Sequence, residues 1–163
     1  MRHSTSKRGR FGSRAGHAFI EFALGSMLLV TVFTGTFQYG FFFYQYNLLV
    51  NAVNNGAHFG AMQLYDTNTT NPSNTFKNSV KNMVVYGDPT GTNTTPIVKG
   101  LGLGNVSITI GSVGSGNTFM PTSVTVAITG YTIDGVTGSY TLTGKPAVTY
   151  RFQGMYCPDS GVC

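Results

Sequence analysis

Apolar residues dominate the chain from Phe19 to about Val50, and from Phe22 through Tyr65 there is not one Lys, Arg, Asp or Glu. A hydrocarbon core about 30 Å thick takes roughly 20 apolar residues as a helix. The stretch therefore predicts a long hydrophobic helix over residues 17–64 with a transmembrane part. Small residues recur along it at Gly25, Ser26, Gly35 and Gly40, and Gly56 and Gly60 stand in a G-x-x-x-G spacing. Side chains this small let helices approach closely, which marks Gly25, Gly35, Gly56 and Gly60 as packing positions. Gln38 and Gln45, seven apart, share one stripe. The aromatics from Phe37 to Tyr46 fit either a belt at the outer interface or side chains that simply face lipid or the head.

After Tyr65 the pattern changes. Asp66 to Asn74 is a polar loop by composition. Phe76, Val80, Met83 and Val84 then fall at helical spacing, with Asn74 or Thr75 as the expected cap and Gly87 and Pro89 as the stop. From Val106 the period becomes two: Val106, Ile108 and Ile110 alternate with Ser107 and Thr109, and Val124, Val126 and Ile128 alternate with Thr residues and Ala127. Asp134-Gly135 is a hairpin signal, Gly138 to Leu142 a return strand, and Ala147 to Phe152 a last strand. One apolar and one Thr-rich face imply a sheet covered on one side, as by a helix. The expected fold class is α+β: a long N-terminal helix, then a small antiparallel sheet head (residues 65–163) with a short helix.

Charge refines this picture. Of the ten basic residues, five (Arg2, Lys7, Arg8, Arg10 and Arg14) lie in the first sixteen positions, with no acid among them. From His17 onward five basic residues face five acids, so the net charge of +5 belongs to the leader, residues 1–16. It argues for a cytoplasmic N-terminus by the positive-inside rule and not for nucleic acid. A secretory signal peptide would have an apolar region of only about 7–15 residues ending in small residues at a cleavage site. The run here is far longer. Glu21, the one acid at its start, is costly near a membrane and calls for a partner.

A basic leader, Gly16 directly before the hydrophobic stretch, and Glu21 at the fifth position after it resemble a type IV prepilin processing site. The words Ala18-Phe19-Ile20-Glu21-Phe22-Ala23-Leu24 and Asn51-Ala52-Val53-Asn54-Asn55-Gly56-Ala57-His58-Phe59-Gly60-Ala61 are similar to those of the TadE-like minor pilins, or pseudopilins, of the tight-adherence (Tad/Flp) pilus and secretion machinery. The sequence departs from the family at His17 and His58, where Phe or Met and Arg respectively are common. The resemblance implies cleavage by prepilin peptidase between Gly16 and His17, residence in a bacterial inner membrane with the head in the periplasm, and assembly with other pilins and inner-membrane assembly proteins. Glu21 would then serve assembly, pairing with the new α-amino group of His17 in the same or a neighbouring subunit. Such a subunit could be incorporated into an extracellular pilus.

Other chemistry finds little footing. The two cysteines, Cys157 and Cys163, bracket a Pro-Asp-Ser-Gly turn, and in an oxidising compartment they predict a disulfide, with two free thiols or a metal site as the alternatives. His3, His17 and His58 all lie in the leader or the long helix, so no metal site is expected. The Gly-rich stretches at 100–104 and 111–116 precede a strand or a loop and lack the strand-to-helix setting of a phosphate-binding loop. No catalytic set, cofactor, nucleic acid or small-molecule substrate is expected. The alternative function is a membrane-tethered module whose uncleaved helix anchors a Thr-rich sheet for binding or adhesion.

Overall fold

The computed structural model describes residues 12–136 and 138–158. Five main elements follow in order: helix α1 (Gly12–Met62), helix α2 (Asn74–Tyr86), and strands β1 (Val106–Val113), β2 (Met120–Asp134) and β3 (Ser139–Arg151). The class is α+β, with one long apolar helix, one short helix and a three-stranded antiparallel sheet. The chain divides into two compact units after Gly40.

In the first unit every residue is helical from Gly12 onward, and the apolar side chains from Phe19 to Phe37 are largely exposed. Gly16–Met62 is long and apolar enough to cross a membrane. Three of its hydroxyl side chains bond back to the helix. Ser26 Oγ donates to the carbonyl of Ala23 at 3.0 Å, Thr31 Oγ1 to that of Met27 at 2.8 Å, and Thr36 Oγ1 to that of Val32 at 2.9 Å. Such back-bonding removes free hydroxyl donors from an exposed apolar surface. The sequence implies a helix from His17, whereas the described helix already includes Gly12. Gly12 and Gly16 each cost about 1 kcal/mol relative to Ala, but adding a turn to an existing helix avoids the cost of nucleation.

In the second unit the remainder of α1 forms part of the core. Leu49, Ala52, Val53, Ala57 and Ala61 make one buried stripe, and α2 contributes Phe76, Val80, Val84 and Val85. Val85 is buried where Met83 was expected; the helix is turned slightly so that Met83 is half-buried. The N-cap is Ser73, whose Oγ accepts from the N–H of Phe76 at 3.2 Å, one residue before the expected Asn74. Gly87 closes the helix in the left-handed conformation at φ 72°, as the sequence implied.

The sheet is a meander in the order β1-β2-β3. Val106 pairs with Ile128 and Ile110 with Val124, and Val126 pairs with Val148, so one face carries the core. The other face carries Thr. Thr125 and Thr149 hydroxyls meet at 2.7 Å, and those of Thr132 and Thr141 at 2.8 Å. The two expected return strands form one strand, β3. The register shifts where Gly130 and Gly144, both at positive φ (70° and 71°), absorb the mismatch that separates the two halves. Pro146 is tolerated there because β3 is an edge strand.

The segment after β3 returns to α1. The N–H groups of Gln153 and Gly154 both donate to the carbonyl of Ala61 at 2.8 Å, Tyr65 N–H donates to Met155, and Cys157 N–H to Tyr65. Carbonyls of the last helical turn have no partner inside the helix, and here the tail supplies the donors. Tyr65, fully buried, sits among Phe76, Phe119, Phe152 and Tyr156 with ring centroids 5.5–6.3 Å away.

Candidate functional site

Two regions carry the residues of interest. The first is the start of the apolar helix. Gly16, His17 and Glu21 all lie on α1 and are exposed. His17 and Glu21, four apart, share a helix face. Among the described residues neither has a hydrogen bond or ion pair. With α1 beginning at Gly12, Glu21 lies more than two turns inside the helix. A chain starting at His17 would bring it to the end of the first turn, where the helix dipole favours an acid. A Cβ placed on Gly16, Gly25, Gly35 or Gly40 would meet nothing within 4 Å, so these positions leave open surface on the helix.

Gly56 and Gly60 differ. A Cβ on Gly56 would run into Val84 of α2, and one on Gly60 would lie 3.0 Å from Val80 and 3.3 Å from Val124. Their spacing serves the approach of α1 to α2 and the sheet within this chain. Near them, Tyr150 Oη donates to Asn54 Oδ1 at 2.9 Å, and the His58 ring packs edge-on against Tyr150 at 5.4 Å. His58 thus faces an aromatic ring at the helix–sheet junction.

Residues 16–58 match the model of a family described as TadE-like protein. The likeness lies along the N-terminal helix. The matched segment opens at Gly16, the last residue of the basic leader, and closes at His58, four residues before α1 ends. It takes in Glu21, Gly25, Gly35 and Gly56, while Gly60 falls two residues beyond it. The match covers about a quarter of the chain and suggests an association with the tight-adherence pilus system. No curated protein and no solved structure matches the chain.

The second region is an open pocket of about 520 Å³ in the second unit. Phe41 and Gln45 of α1, Lys99 and Asn105 of the loop before β1, and Tyr131 and Asp134 of β2 line it. The loop is held in place: Tyr131 Oη donates to the carbonyl of Lys99 at 2.9 Å, and Asn105 Nδ2 to that of Thr129 at 3.3 Å. Burial first, and then the charge of Asp134, push the Tyr131 hydroxyl above its usual range. Nothing in the sequence analysis singled this pocket out. Its residues come from three segments with no shared motif, and only the polarity of Gln45 inside an apolar stretch offered a signal.

Asp88, just past the end of α2, organises the following loop. Its carboxylate accepts from Thr90 Oγ1 at 2.7 Å and from the N–H groups of Thr90, Thr92 and Asn93 at 3.0–3.1 Å. These donors, the Thr90 hydroxyl foremost, hold its pKa down to about 2. Its acceptor capacity is used within the loop. Cys157 is buried and disulfide-bonded. Cys163 lies outside the described residues, as do Met1 to Phe11 of the leader. Among the described residues no cluster of His, Cys, Asp and Glu is grouped to hold a metal ion.

Proposed function

We propose that the chain is a minor pilin or pseudopilin, cut by prepilin peptidase between Gly16 and His17 and assembled through its apolar helix into a tight-adherence pilus or secretion apparatus. What supports this reading most is a coincidence of boundaries. The TadE-like match starts at Gly16, where the basic leader gives way to an exposed apolar helix whose one acid is Glu21. Along that helix Gly25 and Gly35 leave open surface for a neighbouring helix. The head stays in the periplasm, the leader in the cytoplasm. Partners on this reading are the peptidase, other pilins and inner-membrane assembly proteins. Cys157 and Cys163 form the disulfide of the head.

Glu21 tests the assembly part. An isolated acid in lipid is costly, so Glu21→Ala leaves insertion equal or better. Assembly suffers, since a neighbour's His17 amine loses its partner, and breaking one half of a buried pair costs about 3–5 kcal/mol. The expected phenotype is a cleaved, membrane-resident protein that does not support piliation. Wild-type piliation with Glu21→Ala would contradict the pairing.

A further inference from the structure

The pocket between α1, the loop before β1 and the end of β2 brings a cation, a carboxylate and an amide together. Lys99 and Asp134 both line it, and among the described residues no ion pair joins them or engages either. Gln45 Oε1 is buried without a donor. A buried acceptor without a partner is an open demand for an N–H or O–H group. The pocket therefore offers one cation, one carboxylate and one unfilled acceptor within about 520 Å³.

Position narrows the ligand. Phe41 and Gln45 lie in the later part of the apolar run, and the helix from Gly16 to Gly40 rises roughly 36 Å at 1.5 Å per residue. A bilayer core is about 30 Å thick and about 40–45 Å with its headgroups. On the membrane-spanning reading, on which this inference rests, Phe41 and Gln45 lie at headgroup depth. Phe41, 45% exposed, then stands where aromatic side chains favour the interface.

We propose that this pocket holds a zwitterionic phospholipid headgroup, with the chemistry of phosphatidylethanolamine. The phosphate sits against Lys99, and the ammonium group donates to Asp134 and to Gln45 Oε1. An anionic headgroup without an amine leaves Asp134 facing like charge. A choline headgroup brings the positive charge but no N–H for Gln45.

The test uses the full chain in detergent micelles, offered equal amounts of phosphatidylethanolamine, phosphatidylcholine and phosphatidylglycerol, with bound lipid read by native mass spectrometry. Exposed ion pairs of this kind predict roughly a three- to fivefold preference for phosphatidylethanolamine over phosphatidylcholine. Asp134→Asn removes that preference and leaves phosphatidylcholine retention unchanged, while Lys99→Ala lowers retention of both. Phosphatidylglycerol retained as well as phosphatidylethanolamine overturns the zwitterion assignment. Equal retention of all three, untouched by either substitution, means annular lipid only and overturns the pocket. Displacement of the lipid by free phosphoethanolamine at equal concentration overturns the bilayer as the source. Flotation with phosphatidylcholine vesicles separates the two readings. A chain that does not float contradicts the spanning helix, and one that floats yet shows no headgroup preference contradicts the pocket alone.

Discussion

The N–H of Gly154 donates to the carbonyl of Ala61 across 2.8 Å, joining the segment after the last strand to the last turn of the long helix. A Cβ on Gly154 would run into the carbonyl of Gln63, which is backbone and has nowhere to move. Gly154→Ala therefore forces the clasp open. It should destabilise the head by about 1–3 kcal/mol, the usual cost of overpacking. Thermal unfolding of the full chain in micelles should show a melting point lower by several degrees, and an unchanged melting point would contradict so close an approach.

The glycines of α1 should separate into two kinds. Gly56→Ala drives a methyl group into Val84, which is fully buried, and should also cost the head about 1–3 kcal/mol. Gly25→Ala meets nothing in this chain, and by helix propensity it gains about 1 kcal/mol. Its effect should appear only in pilus formation. Equal melting points for wild type and Gly56→Ala, or a destabilised head in Gly25→Ala, would contradict this division.

Asp88 should give the head an acid-range dependence of stability. Its folded pKa, about 2, lies below the ordinary carboxylate value of about 3.8. The unfolded chain therefore binds the proton more readily, and the contribution is present above about pH 3.8 and lost as pH falls through about 2. Unfolding midpoints measured between pH 2 and 5 should fall less steeply in Asp88→Asn than in wild type. Identical slopes would show that the Thr90, Thr92 and Asn93 donors do not act as the structure places them.

Much of this architecture is visible in the sequence because it depends on local pattern. The uncharged run defines α1, Gly87 ends α2, and Asp134-Gly135 turns β2 into β3, with Gly135 N–H bonded to the carbonyl of Gly138 at 2.8 Å. What escaped depends on distant partners. Gly144 and Pro146 read locally as a break, and only Gly130 on the facing strand lets one strand run through. The G-x-x-x-G pair reads as a membrane-helix motif, yet Val80 and Val84 of the same chain occupy it. The helical start at Gly12 was obscured by glycines whose cost the downstream helix outweighs. The pocket gathers residues 41 to 134, and no stretch of sequence holds them together.

Helical structure through Gly16 also bears on processing. On the proposed processing, the peptide between Gly16 and His17 lies inside α1, so the first turns would have to unwind before a protease could hold it extended. Gly16→Ala adds about 1 kcal/mol of helix propensity there. Cleavage should slow by roughly fivefold where unwinding limits the rate, while the head's melting point stays unchanged. Time courses with purified peptidase would decide it, and a rate equal to wild type would remove the helix from the processing argument.

As a processed pilin subunit, this chain would have lost its leader. Intact-mass spectrometry of membrane-extracted protein from cells with and without prepilin peptidase tests it most directly. The account predicts that peptidase-positive cells yield a chain beginning at His17, shorter by the sixteen residues Met1 to Gly16, and that peptidase-negative cells yield those residues still attached. An intact N-terminus in peptidase-positive cells would contradict the account and favour an uncleaved anchor.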